Sequence, residues 1–480
     1  MKLKGFVGPT YPMDAGSFDA QRTINLYPYI SELSSFTDVG KETTSKSISA
    51  LRSTPGYELA YTAGGGPIRG EVVTGQDRAF VVSGNQLYEI TALAATALGT
   101  INTNVGHITM SENGVEVIVA DGVDGWLYNL STGVFSQITD ADFPATSSIC
   151  FGDGYFIAVK DGTNDFYISA LYDGSDWDVL DFSNAVSSSD NLLACYFDRG
   201  MLLLFGTKSV EIFANTGAAA FPFERVSGGI VQTGCAAIGT VKAFANTVAW
   251  LGVDDQGRGV VWELNGYQAN RISTQAIEAI IAKAPDFSES YAYTYHEQGH
   301  VFYVLQVKGV DTTLVFDGAT NQWHERSYYN KATNQEEQHR GACHFFFNKK
   351  NYIGDRLTGA IYRQGLDIYS YNGDEIHRLR ISPHYHQEKQ SIPFSSFELD
   401  CEVGVGLTSG QGSDPQIMMQ YSNNGGKTWS SELWRSVGKK GEYNTRVRWS
   451  RLGSARDRVF KVKYTEPTFF QINEAYANAS

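Results

Sequence analysis

Three histidines in the last quarter of the chain form the tightest grouping of metal-ligand residue types in the sequence. They are His377, His384 and His386, and strand alternation would place His384 and His386 on one face. A zinc site needs further ligands, and none stands at a supporting spacing. A solvated or interfacial histidine pair is therefore favoured, and we predict no bound metal.

Motifs for catalysis or cofactor binding give no positive signal. The sequence has no GxSxG elbow, no Walker A loop and no GxGxxG after a strand, and Gly64-Gly65-Gly66 before Pro67 is typical of a loop. A glycosidase needs two carboxyl groups about 5 to 10 Å apart, and none of the 52 Asp and Glu residues is singled out for that role. We predict no catalytic residue, no cofactor and no enzymatic activity.

One motif near the C-terminus indicates a turn. The segment Ser422-Asn423-Asn424-Gly425-Gly426-Lys427-Thr428-Trp429 resembles the Asp-box hairpin of sialidases and related propellers, with Asn424 in place of the Asp. In that motif the tryptophan packs beneath a structural turn that carries no catalysis. The segment therefore predicts a β-hairpin, and it stands outside the repeating units described next.

Short strands recur along most of the chain. From Ile68 onward, alternating apolar runs are separated by Asn-Gly, Asp-Gly or Gly-Asn turns, as at Ser83-Gly84-Asn85, and the units repeat every 35 to 45 residues. That period is typical of propeller blades, whose sheets bury both faces only by packing into a ring. The sequence predicts an all-β protein with a β-propeller of about seven blades, the seventh having the weakest pattern.

The pattern changes along the chain in two places. Residues 273–283 have helical apolar spacing, a cap at Ser273 and a stop at Pro285, which predicts a short helix between two blades. After Gly373 the strands lengthen and alternate as in a β-sandwich.

These changes give three predicted regions. We expect an N-terminal extended arm and loop packing on the propeller over residues 1–66, the β-propeller over residues 67–372, and a C-terminal β-sandwich over residues 373–480. The Ser- and Thr-rich stretch 31–49 within the arm is interpreted as a loop that reaches a neighbouring subunit.

Charge and composition restrict the class of protein. The net charge of −14 argues against gripping phosphates over the whole surface, although a wall past which DNA slides is compatible with it. Five widely spaced cysteines without a CxxC pair predict buried free thiols. No apolar run approaches a signal peptide or a membrane span, so we expect synthesis in a cytoplasm and no membrane partner.

Basic residues concentrate at the C-terminal end. Alternation at Arg446-Val447-Arg448-Trp449 places the arginines on the face opposite the apolar one. Such a face is commonly only solvated, and the functional alternative is a docking surface for an acidic neighbouring subunit. The candidate interaction residues are Arg446, Arg448, Arg451, Arg456 and Arg458.

Several segments resemble the packaged-DNA stabilisation, or tail-hub, proteins of P22-like short-tailed bacteriophages. The N-terminal segments that carry the resemblance are Asn25-Leu26-Tyr27-Pro28, Thr54-Pro55-Gly56 and Ile68-Arg69-Gly70. The later ones are 206–217, 221–225, 231–235, 271–273 and the Arg-rich strand pair at 446–456. The likeness is patchy but collinear over nearly the whole chain.

The resemblance implies a structural tail protein of the virion. It implies a homo-hexameric ring below the portal adaptor and above a tail needle or distal tail protein, closing the channel on packaged DNA without sequence-specific binding. Assembly is expected in the host bacterial cytoplasm. The alternative is a carbohydrate-binding or glycoside-hydrolysing tail propeller, which the lack of repeated Asp boxes inside the blades disfavours.

Overall fold

The protein was analysed as a computed structural model. It describes residues 2–13, 15–16, 18–30, 49–185, 190–218 and 221–479. The predicted loop over residues 31–48 lies outside the described residues, so its proposed contact with a neighbour stays a prediction.

The N-terminal residues form five strands. They are β1 (Tyr11–Pro12), β2 (Ala20–Ile24), β3 (Leu26–Ile30), β4 (Ser49–Ser53) and β5 (Gly56–Thr62). β2 and β4 pair with the C-terminal strands β34 and β42, β1 pairs with β2, and β3 pairs with β4. β5 pairs with a blade of the propeller.

Seven blades of four antiparallel strands follow the predicted repeat: six are separate sheets, and the strands of the sixth blade belong to a larger sheet. The first three blades are β6 (Ile68–Val73), β7 (Ala79–Ser83), β8 (Gln86–Ile90), β9 (Ala95–Thr100); β10 (Thr109–Glu112), β11 (Glu116–Ala120), β12 (Gly125–Asn129), β13 (Phe135–Gln137); and β14 (Ser148–Gly152), β15 (Tyr155–Val159), β16 (Asp165–Ala170), β17 (Asp173–Asn184). The next two are β18 (Leu192–Asp198), β19 (Met201–Gly206), β20 (Val210–Asn215), β21 (Phe223–Val231); and β22 (Lys242–Phe244), β23 (Thr247–Val253), β24 (Gly259–Asn265), β25 (Gln268–Arg271).

The last two blades complete the ring. The sixth contains β26 (Tyr291–Glu297), β27 (His300–Gln306), β28 (Thr313–Asp317) and β29 (Gln322–Asn330), with β30 (Gln335–Gln338) paired to β29. The seventh contains β31 (Gly341–Phe347), β32 (Lys350–Asp355), β33 (Ala360–Gly365) and, as its outer strand, β5. Because β31 packs against β6, the seventh blade meets the first.

The helix lies between the fifth and sixth blades, where it was expected. α1 spans Gln275–Ile281, and its apolar face packs into the core that these two blades share. The cap differs from the prediction: the Thr274 hydroxyl accepts the Ile277 N–H at 3.4 Å, whereas the Ser273 hydroxyl donates to Glu278 at 2.7 Å. A 3₁₀ turn at Ile238–Thr240 precedes β22.

The C-terminal strands form two facing sheets. They are β34 (Arg378–Ile381), β35 (Tyr385–His386), β36 (Ile392–Cys401), β37 (Gln416–Ser422), β38 (Leu433–Ser436), β39 (Val447–Ser450), β40 (Ser454–Ala455), β41 (Asp457–Tyr464) and β42 (Gln471–Ala479). One sheet has the order β2-β34-β41-β37-β38 and the other β3-β4-β42-β36-β39. The prediction of a β-propeller followed by a C-terminal β-sandwich is confirmed.

The N-terminal arm packs on both domains: Tyr27 contacts the His300 and Phe302 rings of the sixth blade, and other residues of the arm enter the sandwich. Its first four strands complete the sandwich, because Leu3, Phe6, Leu26 and Leu51 are buried in the sandwich core. Its fifth strand closes the seventh blade, which explains why that unit is the weakest in the sequence: its fourth strand lies about 300 residues upstream of its third, whereas most connections in compact domains are short.

The sandwich is joined to the outer strand of the sixth blade. Ile24 of β2 pairs in parallel with Glu325 of β29, so the blade's sheet continues into the sandwich. Asn25 follows in a left-handed conformation (φ 53°) and is fully buried. Its side-chain amide donates to the carbonyls of Ser327 and His377, at 3.1 and 2.9 Å, which ties the propeller to the sandwich.

Candidate functional site

The C-terminal arginines lie along one edge of the sandwich. β38 and β39 are the last strands of their sheets. Val447 and Trp449 point into the core, while Arg446 and Arg448 are exposed. The Trp449 indole donates to the Leu433 carbonyl at 2.8 Å, so the two edge strands are held side by side.

Local partners fix the direction of these side chains. Arg446 donates to both carboxylate oxygens of Glu398, at 3.0 and 2.7 Å, and these hydrogen bonds lower the pKa of Glu398. Arg448 donates to the Ser396 hydroxyl at 3.0 Å, and Arg435 donates to the Arg448 carbonyl at 2.9 Å. Solvent screens exposed ion pairs of this kind, so they are weak, and the basic charge at the edge is available to a partner.

We call this surface the basic edge and define it by Trp434, Arg435, Arg446 and Arg448. Trp434 is 50% exposed on β38, directly before Arg435. Arg451 and Arg456 are also exposed, further along the chain, around the short strand β40. An exposed tryptophan among arginines is a composition typical of protein interfaces.

Arg458 does not belong to this surface, which corrects the sequence-based selection. Its side chain is fully buried, 4.6 Å above the Phe394 ring and 4.4 Å above the Tyr421 ring, and it donates to the Leu452 carbonyl at 3.0 Å. Burial lowers its pKa. Alternation along β41 places Arg458 on the same face as Phe460 and Val462, which belong to the sandwich core, so its side chain points inward.

The histidines are held by neighbours. His384 Nδ1 lies 2.8 Å from both Asp457 carboxylate oxygens, and its Nε2 lies 2.8 Å from the Gly16 carbonyl oxygen. His377 is buried, 2.5 Å from Glu336 and stacked on Tyr329. Only His386 of the predicted pair is exposed, and the described residues contain no group of three or more side chains that could hold a metal ion.

The hairpin after β37 has the hydrogen bonds of a structural turn. The Asn424 side chain accepts the Thr428 N–H at 2.9 Å and donates to the Thr428 hydroxyl at 2.8 Å. The Ser422 hydroxyl accepts the Gly426 N–H at 3.0 Å. Asn424 thus takes the place of the Asp, and its bonds are all within the turn.

A cavity of about 810 Å³ lies on the propeller axis and is lined by the inner strands of the blades. Burial raises the pKa of Glu71 in its wall, and burial together with the charges of Lys242 and Arg69 lowers the pKa of His107 to about 3. The other carboxylate of the lining, Glu289, pairs with Lys308 at 2.5 Å. The described lining therefore does not offer the two free facing carboxylates that glycoside hydrolysis requires.

Two further observations concern the cysteines and membrane-spanning segments. All five cysteines are buried free thiols, and burial raises the pKa of Cys235 to about 12, so that thiol is unreactive. Among the described residues, no helix reaches the length and hydrophobicity that a bilayer crossing requires.

Sequence-based prediction did not select two features of the molecular surface. Trp434 was not selected, although it directly precedes Arg435 in the basic C-terminal segment. The outer strand of the third blade was not considered either, although it is dense in aspartates around exposed apolar residues.

Comparison with known proteins gives a family match in both parts of the chain. The family described as "Bacteriophage P22 Gp10, beta-propeller" matches residues 36–368, and "Bacteriophage P22 Gp10, beta-sandwich" matches residues 377–480. No curated protein matches the sequence.

Several solved structures match parts of the chain at low sequence identity. The N-terminal domain of Nup159 covers 65% of this chain and 95% of its own length, at 11% identity and a TM-score of 0.41. The WD40 domain of Neurospora crassa Pan2 covers 62% and 89%, at 12% identity and a TM-score of 0.39. The extracellular domain of BT4673 from B. thetaiotaomicron covers 87% of this chain and 61% of that one, at 11% identity and a TM-score of 0.41.

Proposed function

Since the chain belongs to the bacteriophage P22 Gp10 family of phage stabilisation proteins, we propose that it closes the portal channel of a short-tailed virion and retains the packaged DNA. Six copies form a ring on the tail axis, below the portal adaptor and above a tail needle or distal tail protein. Membership makes the chain a structural protein associated with other components of the virion tail. The observation that carries the proposal is the collinear match of both domains, propeller then sandwich.

The charge of the protein supports a channel wall. Affinity for duplex DNA depends on lysine and arginine at the phosphates, and this chain has a net charge of −14. A ring of acidic subunits repels the duplex, so DNA slides during ejection without being held by the wall. Retention then comes from blocking the channel mechanically.

The protein acts without catalysis and is assembled in the host cytoplasm. Neither the axial cavity nor the Asn424 turn offers a catalytic arrangement among the described residues. Incubation with fluorogenic glycosides should release no fluorophore. Turnover of one of them would support the carbohydrate-active alternative instead.

Cryo-electron microscopy of purified particles tests the proposal. The expected result is a six-fold ring of this chain on the tail axis, between the portal complex and the distal tail. Particles assembled without the chain should package DNA and then lose it, measured as DNA released to nuclease. Peripheral copies arranged as spikes, or particles that retain DNA without the chain, would contradict the proposal.

A further inference from the structure

The outer strand of the third blade carries a protruding segment. Along β16 and β17, Tyr167 pairs with Phe182 and Ser169 pairs with Trp177. Four residues of β17, 178–181, therefore stand opposite the single residue Ile168. They bulge from the free edge of the sheet. We call Asp178-Val179-Leu180-Asp181 the acidic knob.

The knob exposes apolar side chains between carboxylates. Val179 is 51% exposed and Leu180 is 76% exposed. The Asp178 carboxylate accepts the Leu180 N–H at 2.9 Å, and burial together with the Asp178 charge raises the pKa of Asp181. A cationic partner would relieve the repulsion between the two carboxylates.

The base of the knob is anchored. Trp177 is buried, its indole donates to the Gly174 carbonyl at 2.9 Å, and its backbone N–H donates to Asp140 at 3.1 Å. On the other side, Phe182 stacks on Tyr167 with ring centroids 5.5 Å apart. Because both flanks are fixed, the knob is presented in one position, which lowers the entropic cost of docking.

The segment of the chain that contains the knob is acidic, although Lys160 lies over the Tyr167 ring, on which Phe182 stacks. Residues 161–198 include eight aspartates and no lysine or arginine. Residues 433–463, which contain the basic edge, include ten lysines and arginines but two acidic residues. The two surfaces are complementary in charge, and each places exposed apolar groups, Leu180 or Trp434, among its charges.

The two surfaces also lie in different domains of the molecule. The sandwich continues from the outer strand of the sixth blade, and the third blade is three positions away in a ring of seven, across the propeller axis. Each copy therefore offers the knob on its propeller and the basic edge on its sandwich, and both can be occupied at the same time. Contacts of this kind are heterologous and produce rings when the rotation closes.

We propose that the acidic knob of one copy docks on the basic edge of the next copy, with Val179 and Leu180 against Trp434 and the knob's two aspartates facing Arg435 and Arg448. The inference rests on the proposed ring and names the surfaces that form it. Arg446 is already paired with Glu398 and borders the contact.

Charge reversal tests the contact. The knob variant carries Asp178→Lys and Asp181→Lys, and the edge variant carries Arg435→Glu and Arg448→Glu. In particles assembled from host cells that supply the variant chain, each reversal should reduce ring occupancy at least about tenfold, because like charges meet at the contact. The four changes combined in one chain restore complementarity, and ring occupancy should recover.

A matched control and a folding check accompany these variants. Asp311 and Lys283 are exposed charges away from both surfaces, so Asp311→Lys with Lys283→Glu should leave ring occupancy unchanged. Thermal unfolding of each purified chain should remain within about 2 °C of the parent, since the substituted side chains lie at the surface and only Asp181 is half-buried.

A cysteine pair gives an independent readout. Leu180→Cys and Trp434→Cys in the same chain should produce disulfide-linked ladders up to the ring size in oxidised particles, while either change alone gives single chains. Intact rings with no ladder, together with unchanged ring occupancy in both charge-reversal variants, would overturn the proposed contact. The proposed function would still stand, because the ring would still form. Absence of rings from parent particles would instead overturn the proposed function.

Discussion

Asn25 lies at the propeller–sandwich junction and stabilises it through both its backbone conformation and its side-chain hydrogen bonds. Its left-handed backbone disfavours a Cβ-bearing residue, and its buried amide contacts both domains. We expect Asn25→Ala to lower the free energy of unfolding by about 3 kcal/mol, since partner groups lose their hydrogen bonds and the strain remains. Asn25→Gly retains the left-handed backbone conformation, so it should lower the free energy of unfolding by about 1 kcal/mol less than Asn25→Ala does. Urea unfolding curves measure both, and equal losses would contradict the strain contribution.

Glu325 is fully buried and depends on Arg22 for its charge. Arg22 Nε donates to Glu325 at 3.0 Å, a second bond joins Arg22 Nη2 to the other carboxylate oxygen, and the Thr10 hydroxyl donates at 2.6 Å. Burial opposes ionisation of Glu325, but the attraction to Arg22 outweighs it and lowers the pKa of the carboxyl.

The sign of this shift predicts a pH dependence. A lowered pKa contributes stability that is present above the ordinary carboxyl range and is lost as the pH falls through the folded-state pKa. We expect Arg22→Met to lower the free energy of unfolding by about 3 kcal/mol at pH 7, because a buried carboxylate is left unpaired. The loss should be smaller at pH 4, because protonation removes the charge of that carboxylate. Unfolding free energies at the two pH values measure the difference. Arg258→Met, which removes an exposed pair with Asp254, is the control and should cost under about 1 kcal/mol at both.

Sequence patterns predict the exposure of some arginines but not of others. Alternation predicted correctly that Arg446 and Arg448 point away from the core, because β39 is an edge strand with one covered face. The same pattern cannot show that Arg458 lies under two aromatic rings. That burial depends on strands more than thirty residues away, which the local sequence does not specify.

At the scale of elements, local chemistry determined most of the architecture. The hairpin turns and alternating strands predicted the seven units, because each blade except the last is continuous in sequence. The pairing of β1 to β4 with the sandwich and of β5 with the seventh blade was not predictable, since it joins distant residues without a local pattern. The acidic knob was missed because a four-residue bulge breaks the alternation that identifies strands.

The sandwich should need its N-terminal strands to fold. Residues 373–480 alone would expose core positions that Leu3, Phe6, Leu26 and Leu51 cover. We expect this fragment to show no cooperative thermal transition and no near-ultraviolet circular dichroism.

A joined chain provides the matched control. The Asn372 N–H donates to the Tyr57 carbonyl at 2.7 Å, so a Gly-Ser linker of about six residues can connect residues 1–57 to residues 372–480. This chain should unfold cooperatively. Cooperative unfolding of the fragment alone would show that the N-terminal strands are dispensable.

At the scale of the whole molecule, net charge decides the behaviour towards DNA. We expect fluorescence anisotropy with a labelled 30-bp duplex at 0.15 M salt to give a Kd above about 100 µM, with little dependence on salt, because few phosphates are neutralised. The edge variant Arg435→Glu with Arg448→Glu should behave in the same way. A Kd near 1 µM with a steep salt dependence in the parent chain, lost in the edge variant, would make the basic edge a DNA contact.

The outer strand of the seventh blade has a consequence for biosynthesis. Thr62 leaves the ribosome long before its partner Ala360. At about 5 to 20 residues per second, the strand waits roughly 15 to 60 s before the propeller can close. During translation the nascent chain therefore holds an unpaired strand edge and an unfinished sandwich, and both are completed only as the last quarter of the protein is made.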